Sequence, residues 1–222
     1  MNKKRVSAWL AALTAATAAL VLNAAPRIYP RLPIYVHSVL RVRAILSEAK
    51  RETFGAIIIG DSVVERAKIP RDLCGIDTLN AGVDGAKISD VARFAPSLLK
   101  AIRPQKIVFA IGVNDAWAEH PTGVESFRQD YQRALAAAQE AGGKIYTATI
   151  APIGGAAIIF LDRARIEAFN EVIRSLGVTV ISLDNLTGRD GLLPEDMAVD
   201  GVHLRPSGYE VWRATIGQGC KN

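Results

Sequence analysis

Ala56-Ile57-Ile58-Ile59-Gly60-Asp61-Ser62 is the stretch whose reading decides the fold. Four consecutive apolar residues stop at a glycine, and an acid and a hydroxyl follow at once. A strand with one face in water alternates apolar and polar side chains, whereas an unbroken apolar run suits a parallel strand covered on both faces. Four further candidates follow. Thr78-Leu79-Asn80 leads to Gly82, residues 106–111 end at Gly112, and residues 144–150 and 178–183 complete five.

Helical patterns lie between them. Ile88, Val91, Phe94, Leu98 and Ile102 recur at spacings of three or four, with Pro96 expected to kink or restart the helix. Thr122-Gly123-Val124-Glu125 fits a capping box, Phe127, Tyr131, Ala134 and Ala138 form one face, and Gly142 is placed to end that helix. Ile166, Phe169, Ile173 and Leu176 line another face before Gly177. Strands alternating with helices of this length predict a three-layer α/β/α sandwich around a five-stranded parallel sheet. Ligands of such sheets bind at the carboxyl ends of the strands.

Three short motifs sit at those predicted ends, and a fourth precedes the last helix: Gly60-Asp61-Ser62, Asn80 to Gly85, Gly112-Val113-Asn114-Asp115 and Asp200-Gly201-Val202-His203. Each alone has an ordinary explanation: an N-cap serine, a turn glycine, an Asn-Asp turn, a surface turn. Together they supply the parts for acyl transfer through a serine ester. Ser62 offers a hydroxyl at the rim. The N–H groups of Ser62 and Gly85 and the uncharged amide of Asn114 are candidate oxyanion donors. The spacing of Asp200 and His203 lets a carboxylate hold one ring nitrogen while the other faces the nucleophile. Of the three histidines, His37 lies in a linker region and His120 precedes a proline, so His203 is the best-placed base.

On these residues the sequence resembles the SGNH (GDSL-type) hydrolases, a family of esterases and lipases. The match runs in order over residues 55–217, and Val63 stands where leucine or isoleucine is commoner. The resemblance implies the flavodoxin-like fold of that family, Ser62 as nucleophile, His203 and Asp200 completing the triad, and Ser62, Gly85 and Asn114 as the oxyanion hole. It implies an ester-hydrolysing enzyme with no cofactor. An alternative is an exported carbohydrate- or lipid-binding module on the same fold.

Composition and charge narrow the remaining classes. The net charge is +5, but Lys3, Lys4 and Arg5 account for three of the 27 basic residues, leaving 24 against 22 acidic ones. That balance, with sparse aromatics, gives no nucleic-acid-binding surface. A phosphatase of the haloacid-dehalogenase type also carries Gly-Asp-Ser, but it needs an earlier D-x-D-x-T strand end. Asp184-Asn185-Leu186-Thr187 lacks the second acid and comes too late. No H-E-x-x-H or Cys/His ligand spacing appears, so no metal is expected.

Residues 1–25 read as a targeting segment. After the basic cluster, residues 6–25 carry no charge, and a helix of that length would span roughly 30 Å. Two readings stand: a signal peptide cut after small residues, at Ala16-Thr17-Ala18 or Asn23-Ala24-Ala25, or an uncleaved membrane anchor with its basic end in the cytoplasm. Both export the rest of the chain, to the periplasm or beyond. Residues 26–33 hold three prolines and read as a linker, residues 34–50 as a short helix, and residues 55–222 as the hydrolase domain. In an exported protein Cys74 and Cys220 are candidates for a disulfide, against two unrelated thiols.

Substrate stays open at this point. The apolar, glycine-containing residues 152–160 follow the fourth strand and are placed to receive an acyl chain. Trp117 is placed to stack on a sugar or line the same pocket, although ordinary packing is the preferred reading of both. Acetylated envelope polysaccharide, lysophospholipid and thioesters are all candidate substrates: small-molecule, glycan or lipid esters.

Overall fold

The computed structural model describes residues 32–221. Helix α1 spans Leu32–Arg51, β1 Ala56–Gly60, α2 Ser62–Arg66, β2 Thr78–Gly82, α3 Ile88–Ile102 and β3 Lys106–Ala110. They are followed by α4 Val124–Ala141, β4 Lys144–Ala148, α5 Arg163–Arg174, β5 Thr179–Ile181 and α6 Pro206–Lys221. Chain contacts divide the protein into Met1–Val39 and Leu40–Asn222. In the first unit the described residues are the opening turns of α1.

All five strands are parallel, in the order β2-β1-β3-β4-β5. The side chains of β1 are fully buried, which is why its sequence shows no alternation. The alternation is between two cores instead. Ile57, Ile59, Leu79, Ala81, Ile107 and Phe109 pack with Ile45 of α1 and the apolar faces of α3, α4 and α5. Ala56, Ile58, Val108, Tyr146 and Ala148 pack with Val64 of α2 and Tyr209, Trp212 and Ile216 of α6. These are the expected three layers.

Three local expectations change. Helix α1 begins at Leu32, inside the stretch read as a linker, because Pro33 falls in its first turn, where a missing N–H leaves no bond unmade. Helix α3 runs through Pro96 without restarting. Pro96 lies on the exposed side of the helix. No capping box forms at α4: its N-cap is Gly123, and the Thr122 hydroxyl donates instead to Asp115 Oδ1 at 2.7 Å.

Cys74 and Cys220 form a disulfide joining the turn before β2 to the last turn of α6. Residues 6–25 lie outside the described residues. Among those described, no helix is long and apolar enough to cross a membrane.

Candidate active site

The strand order reverses between β1 and β3, and the crevice at their carboxyl ends is where such sheets bind ligands. Ser62 stands at its edge, as the first residue of α2. Gly60 permits the tight passage from strand to helix: a Cβ there would lie 2.3 Å from both the Ala110 carbonyl and Val64. Asp61 caps α2, its carboxylate accepting the Val63 N–H at 2.9 Å. Tyr209 of α6 closes the other side, donating its hydroxyl to the Val63 carbonyl at 2.9 Å.

His203 arrives from the loop before α6. That loop is fixed by a bridge between Ala198 and Leu204, by Val199 N–H donating to the His203 carbonyl at 2.7 Å, and by Gly154 N–H donating to the Gly201 carbonyl at 2.7 Å. Asp200 Oδ1 accepts the N–H groups of Val202 and His203 at 3.0 and 2.8 Å, and Oδ2 lies 2.6 Å from His203 Nδ1. Partial burial pushes the Asp200 carboxyl up, but the hydrogen bonds from His203 and Val202 outweigh it and lower it to about 2. His203 Nε2 lies 3.0 Å from Ser62 Oγ, across 141 residues of sequence. The structure thus brings Ser62, His203 and Asp200 into one hydrogen-bonded line.

Gly85 follows β2, whose end is paired with that of β1. Its φ of +72° is left-handed, a conformation that favours glycine. Its N–H donates to no acceptor among the described residues. Asn114 follows β3 in a short 3₁₀ turn, Val113–Ala116, and its Nδ2 donates to the Ala86 carbonyl at 3.0 Å. The two expected donors therefore belong to loops that touch.

Two buried acids support this rim. Burial pushes Asp61 up to about 7, with Asp115 adding to the rise and the N–H groups of Val63 and Gly112 opposing it. Burial likewise pushes Asp115 up to about 6, although it accepts Ile88 N–H at 2.9 Å and the Thr122 hydroxyl. Asp115 thus pins the start of α3 to the turn holding Asn114. Asp61 does carry a local signal: an acid directly before a helix start, with a further acid, Glu65, in the first turn. The roles of Asp115 and Tyr209 are set by distant partners and have no local signature.

An apolar pocket is lined by Val63, Ile111, Val113, Ile150, Ile153 and Val202, among others; the neighbours of Ser62, Asn114 and His203 in sequence contribute to it, but those three residues themselves do not line it. The 152–160 loop contributes Pro152 and Ile153 to this pocket, while Ile158 and Ile159 are exposed at 48% and 87%. Trp117 is 39% exposed and packs on Phe160 of the same loop, ring centroids 5.1 Å apart. Among the described residues, no group of three or more His, Cys, Asp or Glu could hold a metal ion.

Residues 58–211 match the GDSL-like lipase/acylhydrolase family, and the chain belongs to it. It is an ester-hydrolysing enzyme. The fold is shared with solved structures of low sequence identity. A GDSL-like lipase from Bacteroides thetaiotaomicron superposes with a TM-score of 0.69 at 16% identity, over 81% of this chain and 97% of that one. A lipase/acylhydrolase from Enterococcus faecalis gives 0.63 at 21% identity, over 75% and 94%. A carbohydrate esterase family 3 protein from Talaromyces cellulolyticus gives 0.58 at 21%, over 73% and 94%. No curated protein matches the sequence.

Proposed function

We propose that the chain is a serine esterase that hydrolyses carboxylic esters, acyl or acetyl, through an acyl-enzyme on Ser62. The observation that carries this reading is the line from Asp200 Oδ2 to His203 Nδ1 at 2.6 Å and from His203 Nε2 to Ser62 Oγ at 3.0 Å. Both distances are within reach for proton transfer. The ionised Asp200 favours the tautomer with the proton on Nδ1, so Nε2 is the acceptor for the serine proton.

The steps follow. Ser62 Oγ attacks the ester carbonyl carbon as its proton passes to His203 Nε2. The new oxyanion receives hydrogen bonds from the N–H groups of Ser62 and Gly85 and from the Asn114 amide. When the C–O bond to the leaving group breaks, the alcohol takes the proton from Nε2 and Ser62 carries the acyl group. A water molecule then gives its proton to Nε2 and attacks the acyl carbon. Collapse returns that proton to Oγ, releases the acid and restores Ser62.

A fluorophosphonate probe tests the reading. Labelling at Ser62, lost in Ser62→Ala together with nitrophenyl-acetate hydrolysis, is the expected result. Retained hydrolysis in Ser62→Ala overturns it. A chain-length series of nitrophenyl esters beside acetylated glycans separates substrates: an acetyl preference favours glycans, and a rise towards long chains favours lipids. The 152–160 loop and the Trp117–Phe160 pair are the proposed acyl and alcohol contacts.

The site is proposed to work outside the cytoplasm. The charge pattern of residues 1–25 and the Cys74–Cys220 disulfide, a bond that persists in oxidising compartments, both support export.

A further inference from the structure

Arg41 lies on α1, outside the residues that match the family. Its side chain is 23% exposed and reaches the carboxyl end of β2. Nε donates to the Gly82 carbonyl at 3.0 Å, and Nη2 donates to the Asn80 carbonyl at 3.0 Å and to Asn80 Oδ1 at 3.4 Å. Nε also stands 3.9 Å from Glu65 Oε1.

The geometry of a parallel edge strand explains these contacts. β2 is the end strand of the sheet, paired only with β1. Residues two apart on a strand direct their backbone groups to the same side, so Asn80 and Gly82 turn theirs to the free edge together. Those groups need donors and acceptors from elsewhere. Asn80 Oδ1 accepts the Gly82 N–H at 2.9 Å, and Arg41 supplies donors to both carbonyls. A planar guanidinium spans two acceptors in one geometry, which an ammonium cannot.

The consequence lies in the next three residues. The other Glu65 carboxylate oxygen, Oε2, accepts the Asp84 N–H, and Val83 N–H donates to the Gly60 carbonyl at 3.0 Å. Gly85 comes immediately after. Its loop is thus held at one end by Arg41 and Glu65 and at the other by the Asn114–Ala86 hydrogen bond. We propose that Arg41 is a positioning residue for the reaction: from α1 it fixes the end of β2, and through it the direction of the Gly85 N–H. The inference rests on the oxyanion-hole reading above.

The test uses the full chain, with kcat and KM on a nitrophenyl ester, far-UV circular dichroism and thermal melting. A misplaced group of this kind costs about 10–100-fold, so Arg41→Ala is expected to lower kcat by that factor with KM within about two-fold. Its folded fraction at the assay temperature stays complete and the shape of its pH–rate profile is unchanged. Arg41→Lys recovers only part of the rate, and the exposed neighbour variant Arg43→Ala behaves as wild type. In Arg41→Ala/Glu65→Gln the losses are not multiplicative, because both residues act on one loop. If Arg41→Ala fails to fold, Glu65→Gln alone decides: it keeps an acceptor for Asp84 but not the charge for Arg41, and a several-fold loss in kcat is expected. A wild-type kcat in Arg41→Ala, or in Glu65→Gln in that case, overturns the inference if Ser62→Ala is inactive. A rate loss that only tracks loss of folded protein, or that falls on KM alone, overturns it too. Activity in Ser62→Ala would instead mark failure of the esterase reading itself.

Discussion

The Asn114 amide donates to the carbonyl of Ala86 at 3.0 Å, tying one proposed oxyanion donor to the residue next to the other. An amide nitrogen has two hydrogens, so this bond leaves the second for a substrate oxyanion. Asn114→Ala removes a donor and loosens the Gly85 loop together. Loss of one oxyanion donor costs about 10²–10³ in turnover, and the expected fall in kcat is at the upper end of that range or beyond it. Steady-state kinetics on a nitrophenyl ester checks this, and a fall of less than ten-fold contradicts it.

Asp200→Asn isolates the second half of the relay. The variant keeps an acceptor for the N–H groups of Val202 and His203 and so keeps its loop. It loses the charge that orients the ring and stabilises the imidazolium. General acid–base catalysis is worth about 10²–10⁴-fold, and kcat is expected to fall by that order with little change in melting temperature. With its carboxyl lowered to about 2, Asp200 stays ionised throughout the assay range, so it contributes no limb to the wild-type pH–rate profile. A wild-type rate in the variant counts against the relay.

The buried acids set an unusual pH dependence of stability. Asp61 is raised from 3.8 to about 7 and Asp115 from 3.8 to about 6. Over those windows the folded chain binds more protons than the unfolded one, so both groups lower stability as pH rises from about 4 to about 7. Asp200 has the opposite sign: its carboxyl is lowered, and its contribution is lost only as pH falls from about 4 towards 2. The expected Tm is therefore higher near about pH 5 than near about pH 8, and Asp61→Asn flattens that slope. A Tm that climbs steadily from acid to alkaline pH would exclude this account.

The disulfide is predicted to matter for stability and not for turnover. Cys74 precedes β2, and Lys106, the first residue of β3, donates to the carbonyls of Cys74 and Cys220 at 3.2 and 2.7 Å. This cluster is at the amino ends of the strands, opposite Ser62. Removing a disulfide that closes so long a loop costs about 2–4 kcal/mol, and for a chain of this size that lowers Tm by roughly 5–15 °C. Melting and kinetics of Cys74→Ser/Cys220→Ser, at a temperature where both proteins are folded, check both halves of the prediction.

What could be read in the sequence was what depends on near neighbours. The fully buried β1 announces itself as an unbroken apolar run, and Gly142, with φ +82°, ends α4 where a glycine should. The geometry linking Ser62, Asp200 and His203 was legible only because their motifs occur together, since no local pattern connects positions 141 residues apart. The misreadings have separate causes. Thr122 looked like a helix cap because Glu125 lies three residues on, but the buried Asp115 takes its hydroxyl. Pro33 looked like a linker residue because proline breaks helices everywhere except in the first turn. Arg41 carried no signal, since its partners on β2 are some forty residues away.

The sheet order has a consequence in time. β1, which ends just before Ser62, leaves the ribosome ahead of the other four strands and comes to lie between β2 and β3, while His203 and α6 follow all five strands. A nascent chain therefore exposes the hydroxyl for most of its synthesis with no base beside it. On the proposed mechanism that serine is inert towards esters until its base arrives. Reactivity on that mechanism waits for the His203 loop and α6 to dock, and the Cys74–Cys220 bond can close only after α6 is in place.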